Sequence, residues 1–377
     1  MTISDSKTLL WFRRQLRTHD QPLFECLDFE REKVTGIWIL DPREHLQMID
    51  GTTRCGPHRM RFLLESVEGL RQSLRALGTE LLIRVGEPET VLPQLIEALA
   101  IDRLCFVEEP GSEERTIERR VIELVSTRVT NLPADTLLEI EDPRSFADDL
   151  PDVFSKFRRS AEKRLEYARS RMTPKIIRTI PLSGEFDRGD VDLTQLGITC
   201  PTDDPRAVMP FEGGELPGLD RLRAWMHDGD HLKNYKETRN GMLGDEYSSK
   251  FSPWLATGAL SSRRVAEETF EYEKSTIAND STYWLRFELL WREFFRLHLM
   301  KHGRHLFQRH GPAGIALKYQ NDPSHFEAWK SGTTGIPLID ANMRELSVTG
   351  FMSNRGRQIV ASFLSKNLDI DWRWGAR

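Results

Sequence analysis

Lys7-Thr-Leu-Leu-Trp-Phe-Arg-Arg-Gln-Leu-Arg-Thr-His-Asp20 is the stretch on which the fold turns. Lys7 to Phe12 is β-rich and apolar, and it runs directly into a charged segment, Arg13 to Asp20. A dinucleotide-binding sheet carries G-x-G-x-x-G at this point. Without those glycines the backbone cannot approach a pyrophosphate closely, so an NAD fingerprint is not expected. The segment reads instead as a solvated basic loop at the carboxyl ends of the strands, an edge where open α/β sheets also hold ligands. Working outward, further strands are expected at Val34–Leu40, Glu80–Val85, Leu104–Val107 and near Asp135–Ile140. Helical stretches are expected around Gln21–Arg31, His58–Leu77 (stopped by Gly78), Glu89–Ala100 and Glu113–Arg128. Near-continuous Val/Ile/Leu strands alternating with helices mean βαβ crossovers. The fold class expected for residues 1–140 is therefore α/β: a Rossmann-like parallel five-stranded sheet with helices on both faces.

The chain has 377 residues, enough for two or three domains. Hydrophobic residues make up 39% and charged residues 29%, which excludes wholesale disorder. The net charge of -5 means that a polyanion would have to be held by a local basic patch. Cys26, Cys55, Cys105 and Cys200 are far apart with no C-x-x-C pair, against a disulfide framework or a zinc ribbon. Residues Met1 to Thr8 lack a signal-peptide pattern, and no apolar run reaches the roughly 18 residues of a membrane span. A cytoplasmic chain, monomeric and free of the membrane, is expected.

From Glu141 to Leu216 prolines and glycines break the pattern, so residues 141–216 read as an interdomain linker with a basic helical patch over Val153–Arg171. Residues 217–377 read as all-α. Helices are expected at Leu219–Asp228, Pro253–Leu260, Ser262–Glu273, Ser281–Lys301, Asp322–Trp329, Ile336–Ser347 and Asn354–Leu364, with Gly350 turning between the last two.

Several constellations carry chemistry. Ser248, Ser249, Lys250, Phe251 and Ser252 precede a helix; hydroxyls, a cation and free N–H groups suit a phosphate, while N-capping by Ser252 is the plainer alternative. Glu288, Trp291 and Arg292 share one helical face, either as an ion pair beside a core tryptophan or as a slot for a flat ligand. His298, His302 and His305 share a face, but Gly303 interrupts it and no carboxylate completes a ligand set, so no metal is expected. Tyr319, Trp329, Trp372 and Trp374 read as core aromatics or as redox stepping stones.

Together these stretches resemble the photolyase/cryptochrome family, most closely its DASH branch. The motifs are Leu10–Asp20, Phe62–Val67, Asp149–Arg158, Asn234-Tyr-Lys-Glu-Thr-Arg-Asn240, Tyr247-Ser-Ser-Lys-Phe-Ser-Pro-Trp-Leu-Ala256, Leu290-Trp-Arg-Glu-Phe-Phe295 and Gly335–Gly375. The resemblance implies an antenna domain, a linker and a helical FAD-binding domain. It implies that Tyr235 and the Ser248–Ser252 segment contact the phosphates and ribityl chain of FAD. It further implies that Glu288, Trp291 and Arg292 face the flavin and a lesion pocket, and that Asn354 and Arg357 line the isoalloxazine ring. By the same likeness Glu109 contacts a methenyltetrahydrofolate-type antenna, and Trp372 is the middle member of an electron relay. Tyr319 stands where the family has the surface-proximal tryptophan. Arg344 and Arg355, with Arg296, Lys301, Arg304 and Arg309, are expected to hold DNA backbone.

The implied activity is light-driven repair of cyclobutane pyrimidine dimers, preferentially in single-stranded UV-damaged DNA, by electron transfer from reduced FAD. A blue-light signalling flavoprotein and an inactive fragment are the alternatives. The family continues beyond Asp371–Gly375, whereas this sequence ends at Arg377, as a fragment or as a natural truncation. Weak FAD retention is expected on that account.

Overall fold

The computed structural model describes residues 6–49 and 51–377; the targeting-signal reading at Met1–Asp5 falls outside the described residues. The apolar runs form β1 (Ser6–Phe12), β2 (Glu32–Leu40), β3 (Leu81–Val85), β4 (Arg103–Val107) and β5 (Arg128–Leu132). All pair in parallel, in the order β3-β2-β1-β4-β5, with Leu10 opposite Gly36 on one side and Cys105 on the other. Alternation along β1 sends Leu10 and Phe12 into one core and Leu9 and Trp11 into the other. Helix α1 (Pro57–Ala76) covers the first face through Met60, Val67, Leu70 and Leu74. Helices α2 (Pro88–Leu99) and α3 (Ser112–Leu124) cover the second through Leu92, Leu95, Ile117 and Val121.

The fifth strand is a correction. It lies at Arg128–Leu132, at the end of the helix expected over Glu113–Arg128, and Asp135–Ile140 holds only the bridge Leu138–Tyr167. The Gln21–Arg31 stretch shortens to a 3-10 turn over Pro22–Cys26. Near-alternation in Arg128-Val-Thr-Asn-Leu132 is weak, because this edge strand is only half covered and carries polar residues.

The segment expected to be a linker contributes to the helical core. Ala147, Leu150, Phe154 and Phe157 are buried in one cluster with Trp225, Trp254, Tyr272, Leu289 and Phe294. Within it α4 (Phe154–Arg164) lies against the long helix described next, and the helix expected over Val153–Arg171 stops at Arg164. The longer helices that remain follow as α5 (Glu215–Arg223), α6 (Ser252–Thr257), α7 (Ser262–Ser275), α8 (Asp280–His302), α9 (Pro323–Ser331), α10 (Pro337–Thr349) and α11 (Asn354–Ser362). Helix α8 begins with a capping box between Asn279 and Thr282 and ends at Gly303. Helices α9 to α11 share a smaller core of Trp329, Ile339, Met343, Met352 and Val360.

The segment after β1 is not the solvated basic loop expected of it. Gln15, Leu16, Arg17, Thr18 and Asp20 are buried, because the segment docks onto the helical half. Arg17 donates to Gly258 O at 3.0 Å, to Asp20 O at 2.8 Å and to Asp135 Oδ2 at 2.7 Å. Arg171 reaches Asp20 at 3.0 Å and Asp135 at 2.9 Å, and Arg263 reaches Asp135 at 3.3 Å. Glu215 at the start of α5 accepts the backbone N–H groups of Thr18 at 2.9 Å and His19 at 2.7 Å, and lies 2.6 Å from His19 Nδ1. Burial alone would raise the carboxyls here. For Glu215 the His19 contacts outweigh it and hold the group at about 2; for Asp135 the three guanidinium groups do the same and hold it well below the usual carboxylate range. Gly258 has φ +72 and lies so close that a Cβ there would meet Arg14 O at 1.7 Å.

Candidate functional site

One cavity of about 940 Å³ opens between the sheet and the helices. That is within the roughly 300–1,000 Å³ range of cofactor sites. Its walls come from sequence-distant pieces: Trp11 of β1 with Arg13 and Arg14 just after it, Tyr235 and Arg239, the run Tyr247–Pro253, Glu288 of α8, and Asn354 and Arg357 of α11.

The Tyr247–Pro253 wall is held from behind. Arg221 of α5 donates to Ser249 O at 3.1 Å and to Asp245 O at 2.7 Å, and the Trp225 indole donates to Glu246 O at 2.9 Å. Lys250 adopts φ +57 and is buried, with Nζ 3.4 Å from the Tyr247 ring centroid. Burial, with Arg221 nearby, lowers its ammonium to about 8. Ser252 is the first residue of α6, beside Pro253; Phe251 occupies the cap position and no side chain caps the helix. The N-cap reading of Ser252 is therefore corrected, and its exposed hydroxyl lines the cavity.

Also on the lining, Glu288 Oε1 accepts from Arg239 at 2.8 Å and from the Trp284 indole at 3.1 Å. Burial raises the Glu288 carboxyl against the pull of Arg239, and it raises the Tyr235 phenol as well. Arg239 Nε is buried without a hydrogen-bond partner. A buried donor left unpaired costs about 1–3 kcal/mol, so an orphan on a cavity wall is the mark of a polar ligand.

The structure thus brings together Tyr235, Ser248, Ser249, Lys250, Phe251, Ser252, Glu288, Asn354 and Arg357. Others stay apart. Trp291 is covered: Phe154 stacks on it at 3.6 Å and Phe295 at 5.4 Å, so its ring does not present a free face to a flat ligand. Arg292 donates to Leu255 O at 3.1 Å and does not line the cavity. Glu109, two residues after β4, is buried and accepts from Gln15 at 3.0 Å. Tyr319 and Trp372 lie off the cavity on two neighbouring segments. Those segments are joined where Gln320 N donates to Asp369 O at 2.9 Å and Asp371 N donates to Asn321 Oδ1 at 2.8 Å. Arg355 donates to Asn240 Oδ1 at 2.6 Å, while Arg344, Arg304 and Arg309 are exposed. Arg296 and Lys301 instead turn inward, to Asp135 O and Leu150 O. The sequence reading missed Arg239, although it lies one helical turn after Tyr235 within a quoted motif, and missed the rim Trp11, Arg13, Arg14 and Trp38.

The same arrangement, a parallel sheet abutting a helical body with a cleft between them, is found in the FAD-binding photolyase fold, and the comparisons agree. Residues 8–176 match the DNA photolyase family and residues 284–377 match the FAD binding domain of DNA photolyase. The chain belongs to the photolyase/cryptochrome family. Among its relatives, Cryptochrome DASH of Gloeobacter violaceus is 44% identical, covering 99% of this chain and 75% of the relative. Cryptochrome DASH of Danio rerio is 41% identical, covering 99% and 73%. The crystal structure of a Synechocystis cryptochrome superposes with a TM-score of 0.90 at 41% identity, covering 100% of this chain and 78% of that one. A class III photolyase from Agrobacterium tumefaciens gives 0.81 at 26% identity, covering 100% and 76%. No helix among the described residues is long and apolar enough to cross a membrane.

Proposed function

We propose that this chain is a light-driven DNA lyase that splits cyclobutane pyrimidine dimers, preferentially in single-stranded DNA, with FAD held in the interdomain cavity and a methenyltetrahydrofolate-type antenna. The observation that carries this reading is the convergence of Tyr235, Ser248–Ser252, Glu288, Asn354 and Arg357 on one cavity, with the orphaned Arg239 Nε among them. The donor set fits the cofactor. Lys250 and the serine hydroxyls offer a cation and hydrogen bonds to a pyrophosphate, and Asn354 and Arg357 offer donors to a ring edge. Bound and reduced, FAD would supply the single electron that opens the cyclobutane ring. The residues themselves bind, orient and exclude water: Arg221 fixes the serine run, and the Arg239–Glu288 pair adds charge to the cavity lining. Single strands are the cheaper substrate because a lesion there needs no unpairing.

A blue-light signalling role is the second reading. It is favoured by the covering of Trp291, since a lesion stacking there would first have to displace Phe154. The test is loss of dimers from UV-irradiated single-stranded oligonucleotide under blue light with excess FAD and a reductant. Light-dependent loss is expected. Reversible flavin photoreduction with the dimers intact would sink the repair reading and leave signalling.

Phosphate contact by Lys250 has its own signature. With the group near 8, the cationic fraction falls as pH rises, so FAD affinity should drop about tenfold between pH 7 and pH 9. Lys250→Met should bind weakly at both. Quenching of flavin fluorescence measures this, and an identical pH profile in the two proteins would remove Lys250 from the site.

A further inference from the structure

Helix α8 places His298 and His302 one turn apart, and their rings lie 4.4 Å between centroids at 61°. Two facing imidazoles of this kind are half of a transition-metal site, and the sequence offers no carboxylate nearby to extend it. The fold supplies one from far upstream. Asp152, just before α4, reaches α8 with Oδ1 3.5 Å from His302 Nε2. One ligand atom from each of Asp152, His298 and His302 lies within 4.8 Å of the other two. A tetrahedral zinc ion with bonds of about 2.0–2.1 Å needs ligand atoms about 3.3 Å apart, so a small closure of side chains completes it.

The nitrogen atoms point independently to a missing partner. His298 Nδ1 and His302 Nε2 are both buried and make no hydrogen bond. Leaving two such atoms unpaired is costly, and an ion that accepts both lone pairs answers both at once. Asp152 is exposed, which leaves a path for entry and a position for water as the fourth ligand. The competing cation is Lys301, whose Nζ is 3.1 Å from Asp152 Oδ1. It also donates to Leu150 O, which can keep it when an ion takes the carboxylate. Both Asp152 contacts use Oδ1, leaving Oδ2 for the ion.

From this geometry we infer a zinc-binding site formed by Asp152, His298 and His302, outside the FAD cavity. Its consequence is mechanical. It ties the segment preceding α4 to α8, and Phe154, two residues after Asp152, is the ring stacked on Trp291. Zinc therefore locks the cover over Trp291.

The test uses the full chain, stripped with chelator and titrated with zinc chloride by calorimetry. One equivalent is expected to bind. Asp152→Asn, at an exposed position that folding tolerates, and His302→Ala should each weaken binding by about a hundredfold, since even outer-shell losses cost about 10–100-fold. A variant lacking both His305 and His310 should bind like the parent. Hydrogen exchange over residues 150–156 should slow on adding zinc to the parent and stay unchanged in Asp152→Asn. No saturable binding, equal affinity in Asp152→Asn, or loss of binding with His305 and His310 would each overturn the site. None of these readouts depends on flavin or on DNA repair.

Discussion

Gly258→Ala is expected to lower the midpoint of thermal unfolding by about 3–6 °C. The position combines two demands that alanine cannot meet. Its φ of +72 is the left-handed region, which costs an L-residue about 1–2 kcal/mol. The added Cβ would sit 1.7 Å from Arg14 O, backbone that cannot rotate away, and forced overpacking costs a further 1–3 kcal/mol or so. Relief requires the segment after β1 to back off, which lengthens the Arg17–Gly258 bond and loosens the wall of the cavity beside Arg13 and Arg14. Gly311→Ala is the control. It has φ +58 but nothing within 4 Å, so only the conformational cost applies. Scanning calorimetry on both variants decides it, and equal shifts would show that the close approach carries no weight.

Removing the Asp135 carboxylate should have a comparable effect. Arg17, Arg171 and Arg263 converge on it, and taking away one partner leaves buried guanidinium groups uncompensated, at a cost of about 3–5 kcal/mol. Acid should act on the same joint. Glu215 sits at about 2 when folded against about 4.3 when unfolded, so it contributes on the order of 3 kcal/mol above its unfolded value. That contribution fades as pH falls from about 5 towards 2. Asp135, also depressed, adds to the loss at the acid end of the same window. Urea midpoints at pH 7, 5, 4 and 3 should therefore fall steeply for the parent and more gently for Glu215→Gln. Parallel curves would show that the His19–Glu215 contact carries no pH-dependent stability.

Much of the sheet was legible because buried parallel strands are near-continuous apolar runs, and Lys7–Phe12 and Val34–Leu40 could be nothing else. The edge strand Arg128–Leu132 was not, because half-exposed edges lose that signal. For the cavity, local motifs sufficed where a run such as Ser248–Ser252 forms one wall. They failed where tertiary packing decides the outcome. Trp291 shares a helical face with Glu288, yet Phe154, remote in sequence, covers its ring. His298 and His302 were visible by spacing, but Asp152 could be joined to them only by the fold. Likewise the charges of Arg13–Asp20 suggested solvent, since their counterions Asp135, Arg171, Glu215 and Arg263 are all supplied from elsewhere.

The Arg17–Gly258 bond spans 241 positions. On a ribosome adding about 5–20 residues per second, the segment after β1 waits roughly 12–50 seconds for the chain that will cover it. An apolar joint would spend that interval as an adhesive patch on a nascent polypeptide. One built from arginines, carboxylates and hydroxyls stays hydrated until its mate emerges, so this joint trades some binding strength for safety during translation.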